Sequence, residues 1–355
     1  MNNIDAAKPV RAGEELDIRR VEAYLRETIP GLTGGLTVSQ FPSGHSNLTY
    51  LLVTGDREFV LRRPPFGRKA KTAHDMGREY RVLKALRPLF PYCPEALAYT
   101  EDEAILGCPF YVMERLKGVI LRKEPPTGLA LAAGDARRLC ERLLDVFVEL
   151  HRVDYRGSEL ENMGRPEGYV RRQVTGWSER YRAARTPDAP DFEGVMAWLQ
   201  ERMPADHPAS AVIHNDYRFD NVVLAPEDPL RIIGVLDWEM ATIGDPLMDL
   251  GGALAYWIDR EDPQEMQAIR LVPTHLEGMM TRSEVASYYC ARMDLPEDDM
   301  DFYYTFGLFR LAVIAQQIYY RFYHGQTKDR RFGMLIFAVH VLEKKAQQVM
   351  ETGKI

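Results

Sequence analysis

Cysteine and long apolar runs are scarce in this chain of 355 residues, and its 45 basic residues are outnumbered by 52 acidic ones. The 4 cysteines, Cys93, Cys108, Cys140 and Cys290, form no C-x-x-C pair, which indicates free thiols in a reducing compartment. No run approaches the roughly 20 apolar residues of a membrane span, and the N-terminus has no apolar signal core. These absences predict a cytoplasmic protein that does not act at a membrane.

The charge balance argues against a nucleic-acid partner. The formal net charge is −7 and the sequence pI is about 5.7. Nucleic-acid-binding domains usually carry a basic patch or a pI above about 9. A length of 355 residues with 46% hydrophobic residues is sufficient for two lobes around a cleft. We therefore expect a globular protein with a small-molecule partner.

The most informative pattern is the string H-N-D-Y-R-F-D-N at residues 214–221, together with Asp237. Asp216 is predicted to accept the proton of an attacking substrate hydroxyl, and Arg218 to neutralise charge on the transferred phosphoryl group. Asn221 and Asp237 offer the oxygen ligands that Mg²⁺ prefers. The set predicts phosphoryl transfer from ATP, with Mg²⁺, to a hydroxyl of a small molecule.

The segment between Asn221 and Asp237 predicts a hairpin. Residues 222–225 are apolar, the P-E-D-P sequence at 226–229 is typical of a turn, and a second β-rich run follows at 232–236. Cross-strand neighbours lie about 5 Å apart, so the hairpin would bring the two metal ligands together.

Three nearby polar residues are given structural roles. The Gly-Asp-Pro sequence reads as a helix start, so Asp245 is predicted to cap a helix. Asp249 is predicted to brace the catalytic loop through hydrogen bonds. His214 is predicted to stabilise that loop and not to act as an acid or base.

The N-terminal part of the chain is predicted to be rich in β-strands and to bind the nucleotide. Strands are expected at 36–40, 48–54 and 58–63, after a helix at 14–28, and Gly55-Asp56 is a hairpin signal between the last two strands. The first two strands are joined by a turn of polar residues whose N–H groups are predicted to lie over the phosphates. The predicted phosphate-binding residues are Ser43, Gly44, His45, Ser46 and Asn47.

Arg62 ends a Phe-Val-Leu-Arg stretch at the position where kinases carry a phosphate-holding lysine. Strand alternation places Arg62 and Arg63 on opposite faces, so only one points into the cleft. Glu79, in a predicted helix at 76–86, is the expected ion-pair partner of Arg62. A strand entering a Gly-ended connector at 110–118 predicts the hinge between lobes.

Backbone groups around Glu114 and Leu116 in this hinge are predicted to meet adenine. Beyond it the sequence is mainly helical. Helices are predicted at 136–152, 168–185, 303–323 and 330–350.

His214, Asp216, Asn221 and Asp237, with the sequence G-D-P-L-M-D-L at 244–250, resemble the catalytic core of the aminoglycoside phosphotransferase and choline kinase-like families. A narrower resemblance extends over nearly the whole chain. It is to the kinase-like domain at the front of acyl-CoA dehydrogenase family members ten and eleven, and to free-standing bacterial relatives of that domain. The segments that carry it are 41–50, 60–65, 164–169 and 309–312.

The resemblance implies an α+β, bilobal protein-kinase-like fold with a small β-rich N-lobe and a large, mainly helical C-lobe. The expected segments are a leader and helix at 1–35, the N-lobe at 36–115 and the C-lobe at 116–355. Arginine at position 62 departs from the lysine of the general kinase pattern. Guanidinium keeps the charge but is longer and planar.

The acceptor is predicted from the last long apolar region. Gln317 and Arg321 each fall within about 20° of Arg310 on a helix, which suggests a cationic rail beside an apolar slot. The resemblance points to a hydroxyacyl-CoA as the acceptor. An aminoglycoside or other amino-alcohol acceptor, a non-catalytic nucleotide-binding pseudokinase and a metal-dependent hydrolase are the alternatives.

Overall fold

A computed structural model of the chain describes residues 4–42, 47–65, 75–205, 210–327 and 329–355. The chain divides into two compact units. The N-terminal unit contains residues up to 120 together with 158–160 and 221–241, and the helical unit contains 121–157, 161–220 and 242–355. The N-terminal unit thus includes the segment that begins at Asn221. The segment boundaries expected after residues 35 and 115 stay a prediction.

The described residues form the following elements. The strands are β1 Leu36–Gln40, β2 Leu48–Thr54, β3 Arg57–Arg63, β4 Ala96–Thr100, β5 Phe110–Glu114, β6 Ala211–Ile213, β7 Val222–Leu224, β8 Ile232–Val235 and β9 Thr242–Gly244. The α-helices are α1 Ile18–Thr28, α2 Met76–Leu86, α3 Glu103–Leu106, α4 Ala133–His151, α5 Tyr169–Ala184, α6 Glu193–Glu201, α7 Pro246–Ala255, α8 Gln264–Ala268, α9 Arg282–Met293, α10 Met300–Tyr323 and α11 Leu335–Thr352. None of the helices in these ranges is long and apolar enough to cross a membrane.

The N-terminal unit is built on an antiparallel sheet in the order β1-β2-β3-β5-β4. The predicted bounds of β1 and β2 are confirmed, and β3 begins one residue earlier than predicted, at Arg57. Thr54 pairs with Arg57 across a turn of two residues, as the Gly55-Asp56 signal predicted. Gly55 has φ +60, a conformation that glycine adopts without steric cost.

The two faces of β3 have different environments. Leu61 packs in a core with residues of α1, including Val21 and Leu25. Arg63 lies on the same side as Leu61, because its cross-strand partner in β2, Leu48, belongs to the same core. Arg62 contacts Glu79 of α2 on the other side. The predicted opposite orientation of Arg62 and Arg63 is therefore confirmed.

Helix α1 is shorter than the predicted helix at 14–28. It begins at Ile18 because the Asp17 side chain accepts a hydrogen bond from the Arg20 N–H and caps the first turn. The carbonyl of Glu14 instead accepts a hydrogen bond from the Tyr50 hydroxyl at 2.7 Å. The predicted helix at 76–86 is confirmed by α2.

The helical unit depends on a close crossing of α7 and α10. A Cβ atom built on Gly251 would lie 2.1 Å from the backbone oxygen of Tyr303, and one on Gly307 would lie 2.0 Å from the oxygen of Gly251. Both distances are shorter than any van der Waals contact, so the two backbones meet only because both residues are glycine. This crossing fixes α10 against the helix that carries Asp249.

The long helices predicted in this unit are confirmed with small shifts at their ends, in α4, α5 and α10. The last predicted helix, at 330–350, is divided into a 3₁₀ turn at Arg330–Met334 and α11. Asp329 caps that 3₁₀ turn by accepting a hydrogen bond from the Arg331 N–H at 3.0 Å.

We expect Gly251→Ala to lower the free energy of unfolding by about 1–3 kcal/mol, because the added methyl group meets backbone atoms that have no room to move. Urea unfolding followed by circular dichroism would measure this loss. Gly194→Ala in α6 is the control, since open space surrounds that position and alanine favours helix. Equal stability of the two variants would contradict the close crossing.

Candidate active site

The hairpin predicted between the two metal ligands is present in the N-terminal unit. Strands β7 and β8 pair antiparallel, with Val222 opposite Val235, and the Leu236 N–H donates to the Asn221 oxygen at 2.8 Å. Asn221 therefore lies across from the residue immediately before Asp237. Asp237 has φ +69, an uncommon left-handed conformation for a residue other than glycine. Such outliers are concentrated at functional sites.

A buried ion-pair cluster surrounds Arg62. Its guanidinium pairs with Glu79, as the sequence predicted, and lies 2.9 Å from Asp237 Oδ1 and 3.6 Å from Glu239 Oε2. The Glu79 side chain is only 1% exposed. Burial raises the pKa of Glu79, and the charge of Arg62 opposes that rise. Arg62 therefore connects β3 with α2 and with the segment that carries Asp237.

The chain after Asp237 is held by residues of the same unit. Asn47 Nδ2 donates to Glu239 Oε2 at 2.6 Å. Arg78 donates to the carbonyl of Glu239 at 2.8 Å and to that of Ala241. Sequence reasoning missed Glu239 and Arg78. Their only signals were their positions two residues after Asp237 and one residue before Glu79.

Of the five residues predicted in the phosphate-binding turn, the structure describes Asn47. Ser43, Gly44, His45 and Ser46 lie outside the described residues, so their expected role stays a prediction. Asn47 is described and almost fully buried.

The predicted hinge runs over the β7–β8 hairpin. The Glu114 N–H donates to the Glu95 oxygen at 2.9 Å. A Cβ built on Gly234 would lie 2.0 Å from the Leu116 side chain, and one on Gly118 would lie 2.2 Å from the Leu224 oxygen. The close approach fixes the connector on the hairpin. Contacts of Glu114 and Leu116 with adenine stay a prediction.

Asp249 braces the loop of the helical unit that carries Asp216, as was predicted for the catalytic loop. Its carboxylate accepts hydrogen bonds from the N–H groups of His214 at 2.6 Å and Asn215 at 2.7 Å. His151 Nε2 lies 3.1 Å from the same carboxylate. Burial on its own would raise the pKa of Asp249, but these partners hold that pKa below its ordinary value. Asp245 caps α7, also as predicted, by accepting the Leu247 N–H at 2.8 Å.

The backbone on both sides of Asn215 is fixed. Asn215 has φ +65, and its carbonyl oxygen accepts a hydrogen bond from Arg310 Nη2 at 2.6 Å. The Asp216 N–H donates to His214 Nδ1 at 3.2 Å, so His214 has the loop-stabilising contact that the sequence predicted.

Arg218 lies beside the predicted proton acceptor. Its Nε is 3.3 Å from Asp216 Oδ1 and 3.1 Å from Asp220 Oδ1, and its guanidinium carbon is 4.4 Å from the centre of the Tyr256 ring. Burial raises the pKa of Asp220 to about 6, while the charge of Arg218 opposes this effect. The helical unit thus supplies an acid–cation pair at the predicted catalytic positions.

The three predicted acceptor residues on α10 have different surroundings. Arg310 is buried, contacts the catalytic loop and lies 5.3 Å from the centre of the Trp177 ring. Gln317 and Arg321 are partly buried. Binding of the acceptor by these residues stays a prediction.

No group of three or more His, Cys, Asp or Glu within the described ranges forms a metal-binding cluster. Asn221 and Asp237 nevertheless suit Mg²⁺, because this ion is commonly bound by one or two protein oxygens together with substrate phosphates and water. The exposed fraction of the Asp237 side chain is 35%, and Asn221 is fixed across the hairpin from Leu236. These two residues would therefore hold the ion.

The family model described as "Phosphotransferase enzyme family" matches residues 37–273. This chain belongs to that family, and its kinase-like α+β fold is the one expected from the sequence.

Three comparisons show how far the similarity extends. Mouse (Mus musculus) acyl-CoA dehydrogenase family member 10 is 34% identical over 325 residues, which cover 91% of this chain and 30% of that protein. A structure from Ralstonia eutropha, described as an aminoglycoside phosphotransferase, has 29% identity and a TM-score of 0.78, with 95% of this chain and 99% of that chain covered. An aminoglycoside phosphotransferase in a ternary complex with AMP-PNP and hygromycin B has 16% identity and a TM-score of 0.57, with coverages of 94% and 98%. The last similarity shows the fold alone. The chain spans about a third of the length of the mouse relative.

We expect Arg62→Met to lower the free energy of unfolding by about 3–5 kcal/mol at neutral pH, because it leaves a buried carboxylate without its cation. The pKa of Glu79, already raised by burial, should rise further. The folded variant then binds a proton that the unfolded chain releases, so its stability decreases as pH rises above the ordinary glutamate pKa. Urea unfolding would be measured between about pH 5 and pH 8. The free energy of unfolding of the variant should lie below that of wild type at every pH, and this deficit should be smallest at the acidic end.

Glu79→Gln in the Arg62→Met background is the control for this pH dependence. It removes the titrating carboxylate, so the pH-dependent part of the deficit should disappear. A deficit that is the same at every pH in both variants would show that Glu79 does not carry the effect.

Proposed function

We propose that this protein transfers the γ-phosphoryl group of ATP to a hydroxyl group of a small molecule in a Mg²⁺-dependent reaction. The observation that carries the proposal is the buried Arg62–Glu79 ion pair in the unit that also carries Asp237. In kinases, catalysis requires both a cation–Glu ion pair that holds the phosphates and an Asp that binds the metal. A phosphotransferase of the same fold is known in complex with AMP-PNP, which supports ATP as the donor.

Each residue has a defined part in the proposed reaction. The substrate hydroxyl oxygen forms a bond to the γ-phosphorus, the bond from that phosphorus to the bridging oxygen of ADP breaks, and Asp216 receives the hydroxyl proton. Arg218 neutralises charge on the transferred group. Asn221 and Asp237 would hold Mg²⁺, which would supply charge neutralisation for the phosphates of the nucleotide. Arg62 holds the phosphates of the nucleotide.

The acceptor in this proposal is a hydroxyacyl-CoA. Arg218 lies beside Asp216 in the helical unit. Cations of this kind suit an anionic acceptor, whereas a polycationic aminoglycoside would favour carboxylates. The relationship to acyl-CoA dehydrogenase family member 10 supports the same class.

A pseudokinase is the second candidate, and the contact between Arg62 and Asp237 Oδ1 favours it. A guanidinium on that carboxylate competes with a metal ion for the same oxygen. Binding of ATP without any turnover would therefore support the pseudokinase over the kinase.

We expect Asp216→Asn to lower turnover by a factor of about 10²–10⁴ while ATP binding stays nearly unchanged, because only proton acceptance is lost. Asp237→Ala should abolish both turnover and Mg²⁺-dependent ATP binding, since it removes a metal ligand. Calorimetry with ATP in the presence and absence of Mg²⁺ measures binding, and ADP formation measures turnover. Full activity of the Asp216 variant would disprove its role as proton acceptor.

A screen of acceptors tests the substrate class. ADP formation, corrected for phosphate release, would be measured with hydroxyacyl-CoAs of several chain lengths, aminoglycosides, choline and simple sugars, and products would be identified by mass spectrometry. We expect a phosphorylated product only from hydroxyacyl-CoAs. Turnover of an aminoglycoside or choline, with no product from any hydroxyacyl-CoA, would show that the acceptor is an amino-alcohol or sugar instead.

A further inference from the structure

Arg310 has an unusual environment for a residue expected on a cationic rail. It is only 6% exposed, and its Nη2 donates to the backbone oxygen of Asn215 at 2.6 Å. Hydrogen bonds from a charged donor are shorter and stronger than those between neutral groups. The guanidinium is therefore directed at the catalytic loop.

This contact completes the fixation of one peptide group. The peptide between Asn215 and Asp216 has its carbonyl oxygen bonded to Arg310 and its N–H group bonded to His214 Nδ1 at 3.2 Å. The preceding N–H group, that of Asn215, is bonded to Asp249 at 2.7 Å. The backbone that leads into Asp216 is thus held from α7, from α10 and from the loop itself.

The φ of +65 at Asn215 lies in the left-handed region, which is uncommon for residues other than glycine, although asparagine tolerates it better than most. A strained conformation persists only where the surrounding structure fixes it. Removal of one of these hydrogen bonds would allow the peptide to rotate, and rotation would move the side chain of Asp216.

The position of Arg310 is itself determined by packing. Its guanidinium carbon lies 5.3 Å from the centre of the Trp177 ring, which favours a cation over its face. A Cβ built on Gly252 would lie 3.3 Å from Arg310 Nη1, so the guanidinium passes close to α7. The crossing at Gly251 and Gly307 sets the separation of α7 and α10 that allows this approach.

We propose that Arg310 is a positioning residue for the reaction: it holds the Asn215–Asp216 peptide so that the carboxylate of Asp216 meets the substrate hydroxyl. This inference rests on the proposed role of Asp216 as the proton acceptor. It gives Arg310 a function different from that of an acceptor-binding cation, and the two functions predict different kinetics.

The test compares Arg310→Met and Arg310→Lys with Arg180→Met. Arg180 is the matched control, because its guanidinium carbon lies 4.8 Å from the centre of the same Trp177 ring on the exposed side of α5. Thermal unfolding first establishes that each variant is folded. Turnover is then measured against ATP and against the acceptor found in the screen.

We expect Arg310→Met to lower kcat by about 10²-fold, with the KM values for ATP and acceptor nearly unchanged, because small displacements of a catalytic group have effects of this size. Arg310→Lys, which keeps a donor, should recover part of the loss. Arg180→Met should behave like wild type. An increased acceptor KM with unchanged kcat would overturn the inference and support acceptor binding.

A double-mutant cycle separates positioning from general damage. If Arg310 acts through Asp216, Arg310→Met should have almost no further effect on kcat in the Asp216→Asn background. Effects that multiply would show that Arg310 acts independently of Asp216, which contradicts the proposal.

Hydrogen–deuterium exchange gives a readout that does not require turnover. Exchange at the amides of Asn215 and Asp216 should increase in Arg310→Met and stay unchanged in Arg180→Met. Unchanged exchange in Arg310→Met would overturn the inference even if no acceptor is found. Absence of ADP formation by wild type with every acceptor, in contrast, would count against the proposed function and not against the role of Arg310 in the loop.

Discussion

The buried carboxylate of Asp249 is the group on which the catalytic loop depends. A charge buried away from water is tolerated only when hydrogen bonds and opposite charges compensate its lost hydration. Asp249 meets this requirement through two backbone N–H groups of the loop and the His151 ring. The loop therefore takes its shape from α7, and α7 starts at its own cap, Asp245.

The N-terminal unit satisfies the same requirement around Arg62. A buried guanidinium needs anionic partners, and it has Glu79, Asp237 and Glu239 within 4 Å. Arginine in place of the usual lysine suits this arrangement, since its planar group presents several donors in different directions.

Local structure was largely predictable because it follows from short-range patterns. Alternation and the Gly55-Asp56 turn predicted β2 and β3, and the turn before β8 predicted the hairpin that relates Asn221 to Asp237. The differences occur at ends, where one hydrogen bond decides the boundary. Asp17 caps α1 and so begins the helix four residues later than its apolar spacing indicated.

The sequence by itself determined the residue types of the site and the local elements that carry them, including the predicted roles of Asp249 and His214 in the loop. Only the tertiary structure decided that Arg310 binds the Asn215 carbonyl and that Arg78 holds the chain after Asp237. Arg310 and Asn215 are 95 positions apart in the chain, and Arg78 and Glu239 are 161 positions apart. No local pattern encodes them, because they depend on how closely separate elements pack, as at Gly251 against α10.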